Sequence, residues 1–201
     1  MDEVARRGIV GLSNNVPPRQ TPASDVATLS LFGYNPDEVY TGRAPLEARA
    51  MGIKLGPEDW AVRCNLVHVP DGAMRDFTAG HIDNDTGGAL IGLLQQCLGG
   101  TRRVNGETVS LEFHPGVSYR NLLVVRGGAR LFSALTKGQP PHDIPDQQVA
   151  PYLPTGPGSE MLREIMDASV ALFRDAPVNL SRVSGGHKTA TQCWLWGIGR
   201  A

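Results

Sequence analysis

The sequence predicts an α/β fold with a mixed sheet. Two segments repeat apolar residues at helical spacing: 86–98, through Leu90, Ile91, Leu94, Cys97 and Leu98, and 159–173, through Leu162, Ile165, Met166, Val170 and Phe173. Short runs rich in Val and Leu lie before, between and after them, and their alternation with helices is what a layered α/β protein requires. With 24 glycines and 15 prolines the chain has many turns and short elements, which argues against a helical bundle.

The elements follow in order. Residues 2–7 read as the end of a helix stopped by Gly8, with Ile9 and Val10 opening a short strand. After an Asn- and Pro-rich loop, Ser24 is placed to cap a short helix through Val26, Leu29, Leu31 and Phe32. A helical patch over 46–51 follows Pro45, a residue suited to a first turn. Residues 61–69 read as a strand turning at Pro70-Asp71-Gly72. Asp85 is placed to cap the 86–98 helix and Gly99-Gly100 to end it. Strands over 109–113 and 119–125 are expected to join through Pro115-Gly116, and a closing strand covers 191–196. The proline-rich stretches 140–145 and 151–157 are expected to be extended connections.

A length of 201 residues accommodates one core, or one domain and a piece of a second. Lys and Arg number 19 against 20 Asp and Glu, so no field of one sign points to nucleic acid or an anionic membrane, and an anionic ligand must be held by locally placed arginines. No run approaches the roughly 20 apolar residues of a membrane span, and MDEVARRGIV does not read as a signal peptide, so the cytoplasm is expected. Cys64, Cys97 and Cys193 are scattered and odd in number, which predicts reduced, mostly buried thiols. An uncapped helix end at the start and an apolar strand at the finish read as the two ends of a fragment.

Few residues announce chemistry by spacing alone. Ser24 sits where a helix start offers free N–H groups and positive potential, which suits an alkoxide or phosphate as well as a plain cap. Arg43, Arg63, Arg75 and Arg120 lie near turns or strands, where guanidinium groups can grip carboxylate or phosphate in two-pronged fashion. The histidines His68, His81, His114, His142 and His187 show no metal-binding spacing, and His142-Asp143, in its proline frame, is the pair best suited to a site. The lone G-x-G of Gly197 and Gly199 follows a strand but leads into no helix, which excludes a dinucleotide fingerprint.

Longer motifs carry more. The run T-P-A-S-D-V-A-T-L-S-L-F-G-Y-N-P, then V-Y-T-G-R-A-P-L-E-A, W-A-V-R-C-N-L, R-D-F-T-A-G-H-I, G-V-S-Y-R-N-L-L-V, P-P-H-D-I, A-P-V-N-L-S-R and W-L-W-G-I-G-R resembles the archaeal-type, bisphosphoglycerate-independent phosphoglycerate mutases over nearly the whole chain. The resemblance implies part of an alkaline-phosphatase-like core over 1–60, an inserted substrate-binding α/β lobe over 61–180 and a return strand to the core over 181–201. It implies interconversion of 3-phosphoglycerate and 2-phosphoglycerate through a phosphoserine on Ser24. Two divalent metal ions (manganese, magnesium, zinc or cobalt) would assist, one touching Ser24, with their remaining ligands outside this chain, so that the chain alone is inactive. Arg63, Arg120 and His142 would face a small phosphorylated substrate, and Asp76 would serve as acid or base. One departure stands out: His81 occupies a position where family members carry arginine. A related phosphotransferase, such as a homoserine-kinase-like paralogue, and a non-catalytic binding lobe remain as alternatives.

Overall fold

A computed structural model describes residues 2–200, which divide into two compact units, one ending at Tyr40 and the other beginning at Thr41. The first unit holds α1 (Asp2–Arg7), α2 (Ser24–Leu31) and α3 (Pro36–Val39). Ile9 and Val10 form no strand and are fully exposed, so the expected opening strand is absent. Within α2 only Val26 is buried, so the helix contributes almost nothing to a core. Asn35 caps α3 by accepting from the Asp37 N–H, and Pro36 occupies its first position.

The second unit contains α4 (Arg43–Ala50), β1 (Trp60–Val67), α5 (Asn84–Leu98), β2 (Gly100–Val104), β3 (Glu107–Val117), β4 (Arg120–Arg126), α6 (Ser159–Arg174), α7 (Pro177–Ser184) and β5 (Gln192–Arg200). The strands form one sheet in the order β2-β3-β4-β1-β5. Every ladder is antiparallel, so the α/β class holds while the sheet is not mixed. The sheet also takes in β5, and α4 packs on β1 and β5, so this unit extends beyond the 61–180 span on both sides.

Alternation along the strands sorts the two faces. Val62, Cys64 and Leu66 of β1 join Leu123 and Val125 of β4 in the main core, under Leu90, Ile91 and Leu94 of α5 and Leu162, Ile165, Met166 and Phe173 of α6. Each such Leu or Ile contributes about 1.5–3 kcal/mol on burial. Ala61 and Leu122 point the other way, to Ala44 and Ala48 of α4. Small residues here let α4 lie close, and two glycines let its entry lie closer still. Gly42 takes φ +150, and a Cβ on it would stand 2.2 Å from the Ile198 carbonyl oxygen, while one on Gly199 would stand 2.7 Å from that of Thr41.

Several local expectations change. The α5 cap is Asp83, whose carboxylate accepts from the Thr86 N–H at 2.7 Å and from its hydroxyl, two residues ahead of the expected Asp85. β3 continues through Pro115-Gly116, where its pairing with β4 slips by a residue between His114 and Val117, and turns instead at Ser118, which takes φ +57. Proline is tolerated there because β2 pairs only with residues 107–111 of β3, leaving the far end of that edge free of a partner strand. Pro141 to Asp143 and Ala150 to Tyr152 are short 3-10 turns, not extended connections. Gly197 and Gly199 lie inside β5, consistent with setting the dinucleotide reading aside. Cys64 and Cys193 are buried free thiols, while Cys97 is exposed.

Candidate functional site

β1 and β5 build the site on the α4 side of the sheet. Arg63 extends from β1 and is only 3% exposed. Its guanidinium lies over the ring of Trp196 on β5, 4.5 Å from the centroid, and the indole N–H of Trp196 donates to Asn65 of β1 at 3.2 Å. The Arg63 Nε stands 3.1 Å from the Glu47 carboxylate of α4, too poorly aligned for a hydrogen bond, and among the described residues none of its nitrogens has a hydrogen-bond partner. Burial pushes the Arg63 pKa down to about 10; Glu47 opposes the shift, and the nearby cations Arg43 and Arg120 add to it. A cation so placed is costly by itself and becomes favourable when an anion supplies the missing acceptors.

From Arg63 a chain of rings gathers two more of the residues singled out by sequence. Trp196 meets His142 edge-on at 5.5 Å, His142 meets Phe77 at 6.1 Å, and Phe77 meets Tyr119 at 6.3 Å. The Arg120 guanidinium covers the Tyr119 ring at 4.4 Å. Arg63, His142 and Arg120 thus belong to one continuous aromatic and cationic surface. His142 is half exposed and stands 3.5 Å from its neighbour Asp143. The 3-10 turn that begins at the buried Pro141 aims it there.

Asp76 is next to Phe77 in the chain, but its carboxylate is already engaged. It accepts from the Thr78 N–H at 2.8 Å, the Thr78 hydroxyl at 2.6 Å and the Lys188 ammonium at 2.9 Å. Burial, the largest single influence, would raise its pKa; the hydrogen bonds from Thr78 and the charge and hydrogen bond of Lys188 together outweigh it and hold the group at about 2. His81 lies apart from the ring chain. It ends a left-handed turn over Ala79, Gly80 and His81, with φ of 50, 69 and 50°, and lines a cleft of about 470 Å³ with Arg182 and His187.

Ser24 belongs to the first unit. It is the first residue of α2, and Ala23, with extended φ and ψ, holds the cap position, so Ser24 is not the capping residue the sequence suggested. Its side chain is exposed at the helix start. The neighbouring Asp25 accepts from the Val26 N–H at 3.0 Å and the Tyr40 hydroxyl at 2.7 Å. Among the described residues no three His, Cys, Asp or Glu side chains come together to hold a metal ion. Ser24 alone does not amount to a metal site.

Sequence reasoning overlooked Glu47, Trp196 and Lys188. The Arg43–Glu47 spacing of four within a helix was a usable signal, since such pairs face each other. No local pattern could announce that Trp196 would lie beneath Arg63 or that Lys188 would reach Asp76.

The architecture is shared with a solved cofactor-independent phosphoglycerate mutase from Thermoplasma acidophilum, with a TM-score of 0.61 over 89% of this chain and 47% of that one at 23% identity, a likeness of fold. Residues 5–179 match the family model of 2,3-bisphosphoglycerate-independent phosphoglycerate mutase. The chain belongs to that family. It is 43% identical over 201 residues to the 2,3-bisphosphoglycerate-independent phosphoglycerate mutase of Methanothrix thermoacetophila, covering all of this chain and 47% of the relative. It is 41% identical to the enzyme of that name from Methanosarcina mazei, covering all of this chain and 48% of the relative. The chain therefore spans about half the length of the curated relatives it matches.

Proposed function

We propose that this chain serves in a phosphoglycerate mutase that interconverts 3-phosphoglycerate and 2-phosphoglycerate, a step of glycolysis, in the cytoplasm. Family membership supports the reaction, and the observation that carries the site is the buried Arg63, whose Nε is buried without a hydrogen-bond partner among the described residues. The phosphoester or carboxylate of the substrate supplies the acceptors that Arg63 lacks. Arg120 adds a second, exposed cation, and His142 presents an imidazole edge between Trp196 and Phe77. No helix among the described residues is long and apolar enough to cross a membrane.

Ser24 is the proposed nucleophile. Its Oγ bonds to phosphorus as the bond from phosphorus to one glycerate hydroxyl oxygen breaks; that oxygen takes a proton, and the Ser24 proton is given up. Reversal onto the other hydroxyl regenerates the serine. Asp76, the proposed acid or base, enters as a carboxylate, and Thr78 and Lys188 must loosen before it takes a proton. The proposed cofactors are two divalent cations (manganese, magnesium, zinc or cobalt), which when bound would favour the serine alkoxide and offset phosphoryl charge. The described residues gather no donor set for them, and the steps above use the chain's own groups.

The test is Ser24→Ala in a mutase carrying this sequence. Because Ser24 is not the cap, melting should move by no more than about 0.5 kcal/mol, while turnover and phosphoserine in mass spectra should disappear. A Ser24→Ala protein that isomerises phosphoglycerate at the normal rate refutes the assignment.

A further inference from the structure

Arg43 is assigned no role by the resemblance or by family membership, yet it shares a carboxylate with Arg63. Glu47 receives the Arg43 Nε on one oxygen at 2.9 Å and faces the Arg63 Nε with the other at 3.1 Å. Both arginine stems also lie against the same backbone atom. A Cβ on Gly197 would stand 3.4 Å from the Arg63 Cγ and Cδ and 3.6 Å from the Arg43 Cβ. Gly197 takes φ +61 where the pairing of β1 with β5 slips a residue between Ala61 and Arg63. The bulge therefore sets both stems side by side, and Glu47 fixes the spacing of their heads.

We propose that Arg43 and Arg63 form a paired guanidinium site for one tetrahedral oxyanion, such as a phosphoester, with Glu47 as the residue that positions both. This deepens the functional reading above and rests on it. Three observations support it. Each Nε faces Glu47, while no Nη nitrogen of either arginine has a hydrogen-bond partner among the described residues. One carboxylate, Glu47, stands against Arg43 and Arg63, and Arg43 and Arg120 both act on Arg63, so the locus carries excess positive charge. Arg43 is about one-third exposed while Arg63 is nearly closed off, so an anion entering from solvent meets Arg43 first. Guanidinium groups suit this better than ammonium groups because each offers two parallel N–H donors to a phosphate edge.

The experiment is a titration of the nitrogen-15-labelled chain with inorganic phosphate and, separately, 3-phosphoglycerate, following the Arg43 and Arg63 side-chain resonances and the dissociation constant. Both resonances should shift together in the wild type. Arg43→Ala should weaken phosphate binding about tenfold or more, the loss expected for one charge-assisted contact, with melting unchanged. Arg43→Lys should recover only part of it, and Arg75→Ala, a cation held by Asp71 and Asp146, should bind as wild type. If Arg63→Ala loses phosphate while Arg43→Ala binds normally, the pairing is wrong and the Arg63 site survives. If neither anion moves the Arg63 resonance of the wild type, the functional site itself is wrong, and the pairing falls with it.

Discussion

The two units of this chain solve the problem of staying folded in opposite ways. The Thr41–Ala201 unit buries Trp194, Phe173, Leu66, Leu90 and Leu122 almost completely between one sheet and its helices. The unit ending at Tyr40 leaves Val10, Leu12, Leu31 and Phe32 from 66 to 105% exposed and keeps its shape through local contacts such as Asn35 to Asp37 and Gln20 to Asp37. The proposed cation site therefore stands on a rigid sheet, while Ser24 stands on a short helix with one buried residue. Fixed charges need an unyielding support, which the sheet gives Arg63.

The sharpest way to break this contrast is to truncate one aromatic in each unit. Phe173→Ala should cost about 3–5 kcal/mol in urea unfolding, and Phe32→Ala less than about 0.5. Equal losses would mean the first unit has a core of its own. Arg63→Met probes the sheet unit at the point where function and stability part. Removing a buried cation without hydrogen bonds should hold or raise stability, by at most about 2 kcal/mol, while phosphate binding is lost. A fall of that size instead would make Arg63 a structural residue. The smallest effect concerns Asp76. Its folded pKa, about 2, lies below the unfolded carboxylate value near 4. Its contribution to stability is therefore complete above pH 4 and disappears as pH falls through 2. Lys188→Met should raise the Asp76 pKa, read from its carboxyl carbon shift, and narrow that window; an unmoved titration would leave Thr78 as the sole cause.

Long periodic segments were legible: α5 and α6 are close to where their apolar spacing placed them, because burial on one side dictates both the pattern and the element, and β1, buried along its whole length, was legible as a run rich in Val and Leu. The β2–β3 hairpin was missed although Asn105-Gly106, both with positive φ, is a strong turn signal. β2 has two arginines in five residues and only partial burial, so its own pattern is faint. α7 was missed despite Pro177 at its first position, since only Asn179 is buried along it. The site was less legible still. Residue type and position marked Arg63, Arg120 and His142 as candidates and the resemblance gave them a substrate-facing role, but what joins them is Trp196, Phe77 and Tyr119, rings drawn from three separate stretches of chain. Spacing records what neighbours in sequence share, and this ring chain joins a strand, two turns and a 3-10 turn that lie far apart in sequence.

Gly42 and Gly199 face each other so closely that neither tolerates a side chain: the Gly42 Cα already lies 2.9 Å from where a Gly199 Cβ would be. In evolutionary terms the two positions are one character. Once either has acquired a methyl group and pushed α4 off β5, the second glycine is no longer needed, so the two costs should not add. Because α4 carries Arg43 and Glu47, a side chain at either glycine would also shift the two residues proposed to grip the anion.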